Sequence, residues 1–255
     1  GFSMNAQMSD NSSGTSATGT NAVAMGKSTT ASGAYSTAMG LSTTASGSTS
    51  TAMGQSTTAS GTRSTAMGQS TTASGNYSTA MGLSTTASDY ASLVIGQYNS
   101  SGSSVTTSAS SFSTSNTAFV IGNGTAAYAP FKSDAFKVMF NGDATVSNDL
   151  TVSGDVNISS DARLKSNIVS LGSTLSKLLL IDGKSYIMNK SGEEKIGILA
   201  QEVQEVFPEL VSEDENEMLS VNYQGLVPVL INAIKEQEDK ISRLEKLVEQ
   251  LISEK

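Results

Sequence analysis

The amino-acid sequence predicts a mostly β N-terminal part, comprising a solenoid and a slender stalk, followed by an α+β domain that ends in a coiled coil. Three observations lead to this fold class. Glycine recurs every 14 residues from Gly26 to Gly96. At Ser160 a stretch rich in Ser, Thr, Ala and Gly gives way to an acidic, aliphatic sequence. Near the C terminus, apolar side chains follow alternating steps of three and four, which is the heptad pattern of a coiled coil.

The charge distribution excludes several classes of function. Of the formal net charge of −8, residues 1–159 carry −2, from 6 acidic and 4 basic side chains, and residues 160–255 carry −6, from 17 acidic and 11 basic ones. Neither part has a basic patch, so nucleic-acid binding is not expected. No apolar run reaches the roughly 18 residues needed to cross a bilayer, so membrane insertion is not expected either.

The absence of cysteine and histidine narrows the chemistry that the chain can support. Without cysteine there is no disulfide framework, no thiolate nucleophile and no thiolate metal site. Without histidine a Ser-His-Asp triad is impossible, so covalent catalysis needs serine with lysine. We expect no cofactor and no metal. Asp143, Asp149 and Asp155 lack the spacing of a calcium loop, and turn or surface roles suit them better.

Residues 1–14 are interpreted as a leader or tag remnant, and residues 15–98 form a repeat array. One glycine series is Gly26, Gly40, Gly54, Gly68, Gly82 and Gly96; a second, seven residues out of phase, is Gly19, Gly33, Gly47, Gly61 and Gly75, with Asp89 in the next place. Glycine every seven residues predicts turns with positive φ between short strands, and hence a β-solenoid with two strands per coil. A disordered linker is the alternative, but a linker has no reason to keep an apolar residue at a strict spacing.

One large apolar side chain marks each repeat. We assign these residues to the core of the head: Met25, Met39, Met53, Met67, Met81 and Ile95. Burying one such side chain is worth roughly 1.5–3 kcal/mol, which is too little to stabilise a lone solenoid. We therefore expect the Met/Ile columns of identical chains to pack against one another in a homo-oligomer.

The strand-turn sequences Asn21-Ala22-Val23-Ala24-Met25-Gly26 and Ala91-Ser92-Leu93-Val94-Ile95-Gly96 resemble the head repeat of YadA-type trimeric autotransporter adhesins. The resemblance covers about residues 15–98 and implies a trimeric left-handed parallel β-roll. It also implies an outer surface that adheres to a host-surface receptor, for which a glycan is one candidate. Methionine largely replaces the isoleucine of that family.

Residues 99–159 are predicted to form a β-stalk. Residues 135–140 alternate as a strand does, and Asn141-Gly142-Asp143 predicts a turn after them. Three shorter strands are predicted at residues 144–146, 150–152 and 156–158. Their spacing suits a slender stalk in which several chains intertwine.

Residues 160–224 are predicted to form a compact core. We expect a helix over residues 175–180, strands over 184–188 and 195–199 with a turn at Gly192, and a helix over 200–207 that Pro208 ends. Residues 220–223 are expected to lead into the terminal helix.

The terminal helix, residues 225–255, carries a predicted coiled-coil seam. Its members are Val227, Leu230, Ile234, Gln237, Ile241, Leu244, Val248 and Leu251. The identities at positions a and d alone favour a dimer. Leu247 and Ile252 widen the seam, however, and with the trimeric head they lead us to prefer three chains. The polar Gln237 costs stability at position d and is expected to fix register or strand number.

Four ordered motifs are similar to the self-cleaving intramolecular chaperone domain of phage tail spikes, tail fibres and neck appendages. They are Ser160-Asp161-Ala162-Arg163-Leu164-Lys165 and residues 196–203, 208–211 and 221–223, and the resemblance covers residues 160–255 almost end to end. It implies a domain that trimerises, guides folding of the fibre and then cuts the chain before the motif serine. Ser160 matches that serine and Lys165 its partner, so the scissile bond is Ser159–Ser160. Gln201 and Glu202 match a motif without an assigned chemistry.

In this mechanism the Ser160 hydroxyl attacks the carbonyl carbon of Ser159, activated by neutral Lys165. Lysine side chains have a reference pKa of about 10.4, which burial on trimer formation would lower, so that cutting is coupled to assembly. Hydrolysis and an N-to-O acyl shift both remain open. For Asp161 and Arg163 we favour a surface ion pair or a turn cap over a role in the chemistry.

Three classes of function are compatible with these features. The preferred one is a phage-like adhesive fibre whose C-terminal domain is an autocatalytic, single-turnover serine endopeptidase and chaperone. The second is a bacterial trimeric surface adhesin that uses the same chaperone domain. The third is a membrane-tethered regulator released by self-cleavage, which the predicted absence of a membrane helix and of a DNA-binding domain disfavours.

Overall fold

The computed structural model describes residues 8–9, 13–189, 191–214 and 217–254. The chain divides into two compact units, one ending at Val156 and the other beginning at Asn157. The first unit is a β-solenoid of about six coils with a short antiparallel extension. The second is a small α+β unit with a long terminal helix. The predicted fold class is confirmed for the single chain.

Each full coil of the solenoid contributes one strand of five residues and one of two. In chain order the strands are β1 Met8–Ser9, β2 Ser16–Ala17, β3 Val23–Lys27, β4 Thr30–Ala31, β5 Thr37–Leu41, β6 Thr44–Ala45, β7 Thr51–Gln55, β8 Thr58–Ala59, β9 Thr65–Gln69, β10 Thr72–Ala73, β11 Thr79–Leu83, β12 Thr86–Ala87 and β13 Leu93–Gln97. The five-residue strands and β1 form one parallel sheet, and the other two-residue strands form a second. The prediction of two strands per coil is confirmed. The first sheet begins at β1, within the segment that we interpreted as a leader, of which residues 1–7 and 10–12 lie outside the described residues.

Equivalent residues of successive coils lie beside one another. Between β5 and β7, for example, Met39 pairs with Met53 and Gly40 with Gly54. Neighbouring strands of a sheet are about 4.8 Å apart, so each column of equivalent side chains runs along the solenoid axis. The 14-residue period of the sequence is therefore the length of one coil.

Small side chains fill the interior of the solenoid. Alanine from both sheets is fully buried, as at Ala38 and Ala45. Because successive side chains of a strand point to opposite faces, the burial of Ala38 places Met39 on the outer face of the sheet, where it is half-buried. The residues that we assigned to the head core, from Met25 to Ile95, are thus not the interior of one chain. Their packing against the columns of other chains stays a prediction.

A ladder of buried hydroxyl groups accompanies the alanines. Thr29, Thr43, Thr57, Thr71 and Thr85 are fully buried, and their Oγ1 atoms lack a hydrogen-bond partner among the described residues. A buried polar group without a partner costs about 1–3 kcal/mol. The interior therefore stabilises the coil less than an apolar core of the same size would.

The positive-φ turns differ from our expectation, because residues other than glycine make them. Ser42 and Thr49 have φ of 56° and 58°, and the same left-handed conformation recurs every seven residues. Gly40 does have a positive φ, 124°, but it lies within β5. Gly47 serves another purpose: a Cβ atom there would overlap the carbonyl oxygen of Gly61 in the next coil. Gly40 meets both demands, because a Cβ atom there would also overlap the carbonyl oxygen of Gly54 in the next coil.

The segment after β13 closes the end of the solenoid around Asp89. The Asp89 carboxylate is fully buried and accepts hydrogen bonds from the backbone N–H of Thr106 (2.7 Å), the Thr106 hydroxyl (2.8 Å) and the backbone N–H of Thr117 (2.8 Å). Asn116 is also buried, and its side-chain oxygen accepts from the N–H of Thr107 and of Ser108. Residues 99–116 therefore cap the last coil, a role that the sequence did not reveal.

Three strands extend the first sheet. They are β14 Thr117–Asn123, which pairs parallel with β13, β15 Asp134–Met139 and β16 Ala144–Val146, both antiparallel. The strand expected over residues 135–140, the turn and the strand over 144–146 are confirmed. The strands predicted at 150–152 and 156–158 are wrong for the single chain, which has no strand there. Their apolar side chains, including Leu150, Val152 and Val156, are exposed.

The described residues of the second unit form three α-helices, short 3-10 turns and two small antiparallel hairpins. The elements are α1 Leu175–Leu178, β17 Lys184–Ile187, β18 Glu194–Gly197, α2 Ala200–Val206, β19 Val211–Glu213, β20 Leu219–Val221 and α3 Leu226–Ser253. The expected helices and strands are confirmed, with the turn at Gly192, whose φ is 73°. β19 was not predicted. Val203, Phe207 and Val229 form the buried centre of this unit.

Helix α3 has two apolar faces. Val229 and Ala233 are buried on the face that belongs to the core of the unit. The predicted seam residues are all exposed in the single chain, from Val227 to Leu251, with Gln237 among them. A second apolar face that the unit leaves uncovered is what a coiled coil between chains requires. Within the described ranges, every helix falls short of the length or the apolar character that a membrane span requires.

Candidate functional site

The segment around Ser160 is organised by a short 3-10 helix, Ala162–Leu164. Asp161 caps this turn: its carboxylate accepts from the backbone N–H of Arg163 at 2.8 Å. The same carboxylate forms an ion pair with the Arg163 guanidinium at 2.7 Å. The pKa of Asp161 is lowered by these bonds, that to the Arg163 side chain first. Asp161 and Arg163 thus form both the ion pair and the turn cap that we favoured.

The turn brings the two predicted catalytic side chains together. Lys165 follows the 3-10 helix as its C-terminal cap, and its Nζ donates a hydrogen bond to Ser160 Oγ at 2.8 Å. Both residues are exposed. A lysine that serves as general base must instead accept the hydroxyl proton, which requires a neutral amine at this distance. The geometry of a Ser–Lys pair is therefore present, while its surroundings in the single chain are open to water.

The segment that carries this pair is held to helix α3 at residues 172–175. Glu236 accepts hydrogen bonds from the Ser173 hydroxyl (2.6 Å), the Leu175 N–H (3.0 Å) and the Thr174 N–H. The Thr174 hydroxyl donates to the carbonyl of Val229 at 2.8 Å. The pKa of Glu236 is lowered, first by the bond from Ser173 and then by the two backbone bonds. The chain upstream, residues 157–173, is exposed throughout.

Sequence reasoning missed Glu236. The residue precedes Gln237 directly, but it lies on the face of the buried Ala233, three positions before it. Its spacing from Val229 and Ala233 could have placed it on the core face of α3. The sequence gives no sign, however, that its partners lie about sixty residues earlier.

Glu202, which matched a motif without an assigned role, has a structural contact. Its carboxylate accepts from the N–H of Asp182 at 3.1 Å and lies 3.1 Å from Lys184 Nζ. These contacts lower the pKa of Glu202, the backbone bond from Asp182 most of all. Glu202 thus ties α2 to the loop before β17.

Gln201 has a different position from Glu202. It lines an apolar pocket of about 480 Å³ together with Tyr186, Ile198, Met218 and Tyr223. The Tyr223 hydroxyl accepts from the N–H of Ile198 at 3.2 Å. The motif residues near 198, 201 and 223 therefore meet around one cavity of the second unit.

Two family models match the two units of the chain. Residues 160–212 match the model described as chaperone of endosialidase, a peptidase family. Residues 17–43, 45–71 and 73–99 each match the YadA head domain repeat. The first unit thus carries YadA-type head repeats and the second begins with a chaperone-of-endosialidase domain, which confirms both resemblances drawn from the motifs.

The chain is also similar to two phage proteins. The long tail fiber protein Gp37 of Enterobacteria phage K3 is 33% identical over 91 residues, which are 32% of this chain and 7% of that protein. The long tail fiber protein Gp37 of Enterobacteria phage T2 gives the same identity and coverage. The chain thus matches only 7% of the length of these relatives.

Proposed function

We propose that the chain belongs to a homotrimeric phage tail fibre at the virion tail. Its head adheres to a receptor on the host surface, and its C-terminal domain assembles the trimer and then releases itself by cutting before Ser160. The observation that carries this proposal is the 2.8 Å contact between Lys165 Nζ and Ser160 Oγ. It lies at the start of the region that matches a peptidase family.

In the proposed reaction the Ser160 Oγ attacks the carbonyl carbon of Ser159 while neutral Lys165 takes the hydroxyl proton. The C–N bond between Ser159 and Ser160 breaks as the Oγ–C bond forms, and the proton passes from Lys165 to the departing Ser160 nitrogen. Water then hydrolyses the resulting ester. In the alternative route, Ser160 and Lys165 activate water that attacks the same carbonyl directly. Either route ends with a new N terminus at Ser160.

Assembly of the trimer excludes water from the Ser160–Lys165 pair, which the single chain leaves exposed. Neutral lysine is favoured where water is excluded, yet Ser160 and Lys165 are exposed in one chain. Leu164, Ile168 and Val169 beside them are exposed as well. We propose that partner chains cover this apolar segment in the trimer and thereby activate the base. Cutting then follows assembly and does not precede it.

The repetitive head explains why a chaperone is needed. Coils with equivalent residues in register can also pair with a slip of 14 residues at little loss of contacts, since their sequences are nearly identical. Pairing between chains is nonlocal, slow and prone to traps. A C-terminal domain that trimerises first sets the register from one end, through the exposed seam of α3. After its release, a high unfolding barrier holds the fibre together.

A second candidate location is the surface of a bacterium. The match of three stretches to the YadA head repeat favours it, since that repeat is named for an adhesin head. The chaperone domain would serve a surface adhesin in the same way. The genes that flank this one distinguish the two, because tail genes indicate a phage and an outer-membrane anchor indicates an adhesin.

The cleavage is tested by intact mass and N-terminal sequencing of the full chain after expression. We expect fragments of 159 and 96 residues, the second beginning at Ser160. Ser160→Ala abolishes cutting because alanine has no nucleophile, and Lys165→Ala abolishes or greatly slows it because no histidine can replace the base. Ser159→Ala is the matched control, since it removes the neighbouring hydroxyl and leaves the dyad intact. Hydroxylamine, which traps esters, distinguishes the acyl shift from direct hydrolysis.

Two results would contradict this proposal. Cutting that persists in Ser160→Ala would show that Ser160 is not the nucleophile. A wild-type trimer that stays whole through prolonged incubation would show that the chain does not cut itself. Mass photometry of Ser160→Ala checks assembly separately, and a monomer or dimer would overturn the trimer.

A further inference from the structure

The repeats differ from one another at very few positions, and the side chains at these positions lie outside the solenoid interior. The three coils that begin at Ser36, Ser50 and Ser64 differ at only 3 of 14 positions: one after the first-series glycine and two after the second-series glycine. The constant positions include the buried alanines, the buried threonines and the close-packed glycines. The variable pair after the second-series glycine forms an exposed turn column along one edge of the head.

That turn column carries large side chains at an unfavourable backbone conformation. Its left-handed position is occupied in successive coils by Asn21, Tyr35, Thr49, Arg63, Tyr77 and Ala91, with φ between 55° and 62°. Glycine and asparagine suit this conformation best, whereas a bulky side chain there is strained. Thr49 shows that the fold accepts a small residue in the same place. The solenoid therefore does not require Arg63 and Tyr77 at these positions.

Arg63, Tyr77 and Tyr90 form a cluster in adjacent coils of this edge. Arg63 Nη1 donates to the Tyr77 hydroxyl at 2.7 Å, and the guanidinium carbon lies 5.3 Å from the centre of the Tyr77 ring. Tyr77 and Tyr90 meet edge to face with ring centres 5.3 Å apart. Beside them, the Asn76 side chain accepts from the N–H of Thr62 at 2.9 Å. Arg63 and Tyr77 nevertheless remain exposed.

The charge of this cluster is not neutralised within the head. Asp89 is the only acidic residue of residues 15–98, and it is fully buried with Thr106 and Thr117 as its partners. No carboxylate of the head is thus available to Arg63. Arginine keeps further N–H donors beyond the one given to Tyr77, and paired donors suit a carboxylate.

We infer that Arg63, Tyr77 and Tyr90 form a binding site for a carboxylate-bearing saccharide, such as a uronic or sialic acid unit of a surface glycan. The guanidinium binds the carboxylate, and the tyrosine rings receive the C–H face of the sugar ring. A lipid surface fits less well, since it is bound by clusters of basic residues, and the head has only Lys27 besides Arg63. The inference rests on the adhesive part of the proposed function and names its ligand class.

The repeat itself provides the test variants. Arg63→Thr and Tyr77→Thr each introduce the residue that Thr49 already holds in the same column, so the fold is preserved. Lys27→Gln is the charge-matched control, because Gln55 and Gln69 occupy the equivalent position of other coils. Binding to the full-length trimer is measured by biolayer interferometry with oligosaccharides of glucuronate, galacturonate and N-acetylneuraminate, with neutral glucose oligomers and with polyglutamate.

We expect at least one acidic saccharide to bind and the glucose oligomers and polyglutamate not to bind. Arg63→Thr should weaken binding about tenfold or more, as for loss of a charge-assisted contact, and Lys27→Gln should leave it unchanged. No binding of any acidic saccharide, equal binding of polyglutamate, or an equal loss in Lys27→Gln would overturn the site. Trimerisation and cutting are measured on the same samples. A correctly assembled and cut trimer without saccharide binding refutes this inference alone, whereas a chain that fails to assemble refutes the proposed function.

Discussion

Replacing Asp89 by glycine should loosen the cap of the solenoid, although glycine is the repeat's own residue at that place. The change removes the three hydrogen bonds from Thr106 and Thr117, which are 2.7–2.8 Å long. Hydrogen bonds to a charged group contribute about 1.5–3 kcal/mol each. Water that enters the vacated space can replace Asp89 as partner of the Thr106 hydroxyl, which leaves the two bonds from backbone N–H groups lost. At the lower end of the range these two bonds amount to about 3 kcal/mol, which is the expected cost to the cap. The free energy that opens residues 99–117 should fall by that amount.

Amide hydrogen exchange measures this local opening directly. A loss of about 3 kcal/mol corresponds to roughly a hundredfold faster exchange, since each 1.4 kcal/mol is tenfold, and it should appear at the N–H groups of Thr106 and Thr117. Asp143→Asn is the control, because it removes the same charge from an exposed turn. If the amide of Thr117 in Asp89→Gly exchanges as slowly as in the wild type, Asp89 does not hold the cap and the reasoning is refuted.

Two further predictions concern helix α3. Gln237→Leu should raise the melting temperature of the trimer and loosen its register or strand number, because it removes a polar group from the seam; an unchanged melting temperature would mean that Gln237 is not buried between chains. The pKa of Glu236 is lowered in the folded chain from its ordinary value of 4.5, so its contribution to stability is present above that value and is lost as the pH falls through the folded pKa. The protection factors of the Thr174 and Leu175 amides, which compare exchange with the intrinsic rate at each pH, should therefore fall as the pH drops below 4.5. Glu236→Gln should remove this dependence, and an identical acid response in the variant would show that another group causes it.

The solenoid could be predicted from the sequence because its period is the physical length of a coil. The positions of the positive-φ turns could not, because two steric causes select the same residue type. The carbonyl of the next coil excludes a Cβ atom at both Gly40 and Gly47, and only Gly40 also has a positive φ. A repeat of identical letters hides this difference. Asp89 breaks the second series without harm because it lies in the last coil, where the cap replaces the next glycine.

The motif resemblance, and not the spacing alone, predicted the pairing of Ser160 with Lys165. One turn of 3-10 helix, Ala162–Leu164, brings the two side chains together. The hydrogen bonds of Glu236 could not be predicted from a local pattern, because its partners, residues 173–175, lie about sixty positions earlier in the chain. The strands expected at 150–152 and 156–158 failed for a related reason. Alternation of apolar and polar residues predicts which side chains share a face of a strand. A strand also needs a neighbouring strand to pair its N–H and C=O groups, and the single chain provides none there.

Because the coils stack in register, the length of the head changes only in steps of one coil. Insertion or deletion of 14 residues adds or removes one strand spacing, about 4.8 Å of reach, and creates no kind of contact that is not already present. An insertion that is not a multiple of 14 residues moves alanine out of the interior and glycine away from the carbonyl that it must accommodate. Recombination between the near-identical repeats of the gene therefore changes the length of the head in whole steps. The coil that contains Asp89 stays at the end of the array, because only that coil fits the cap.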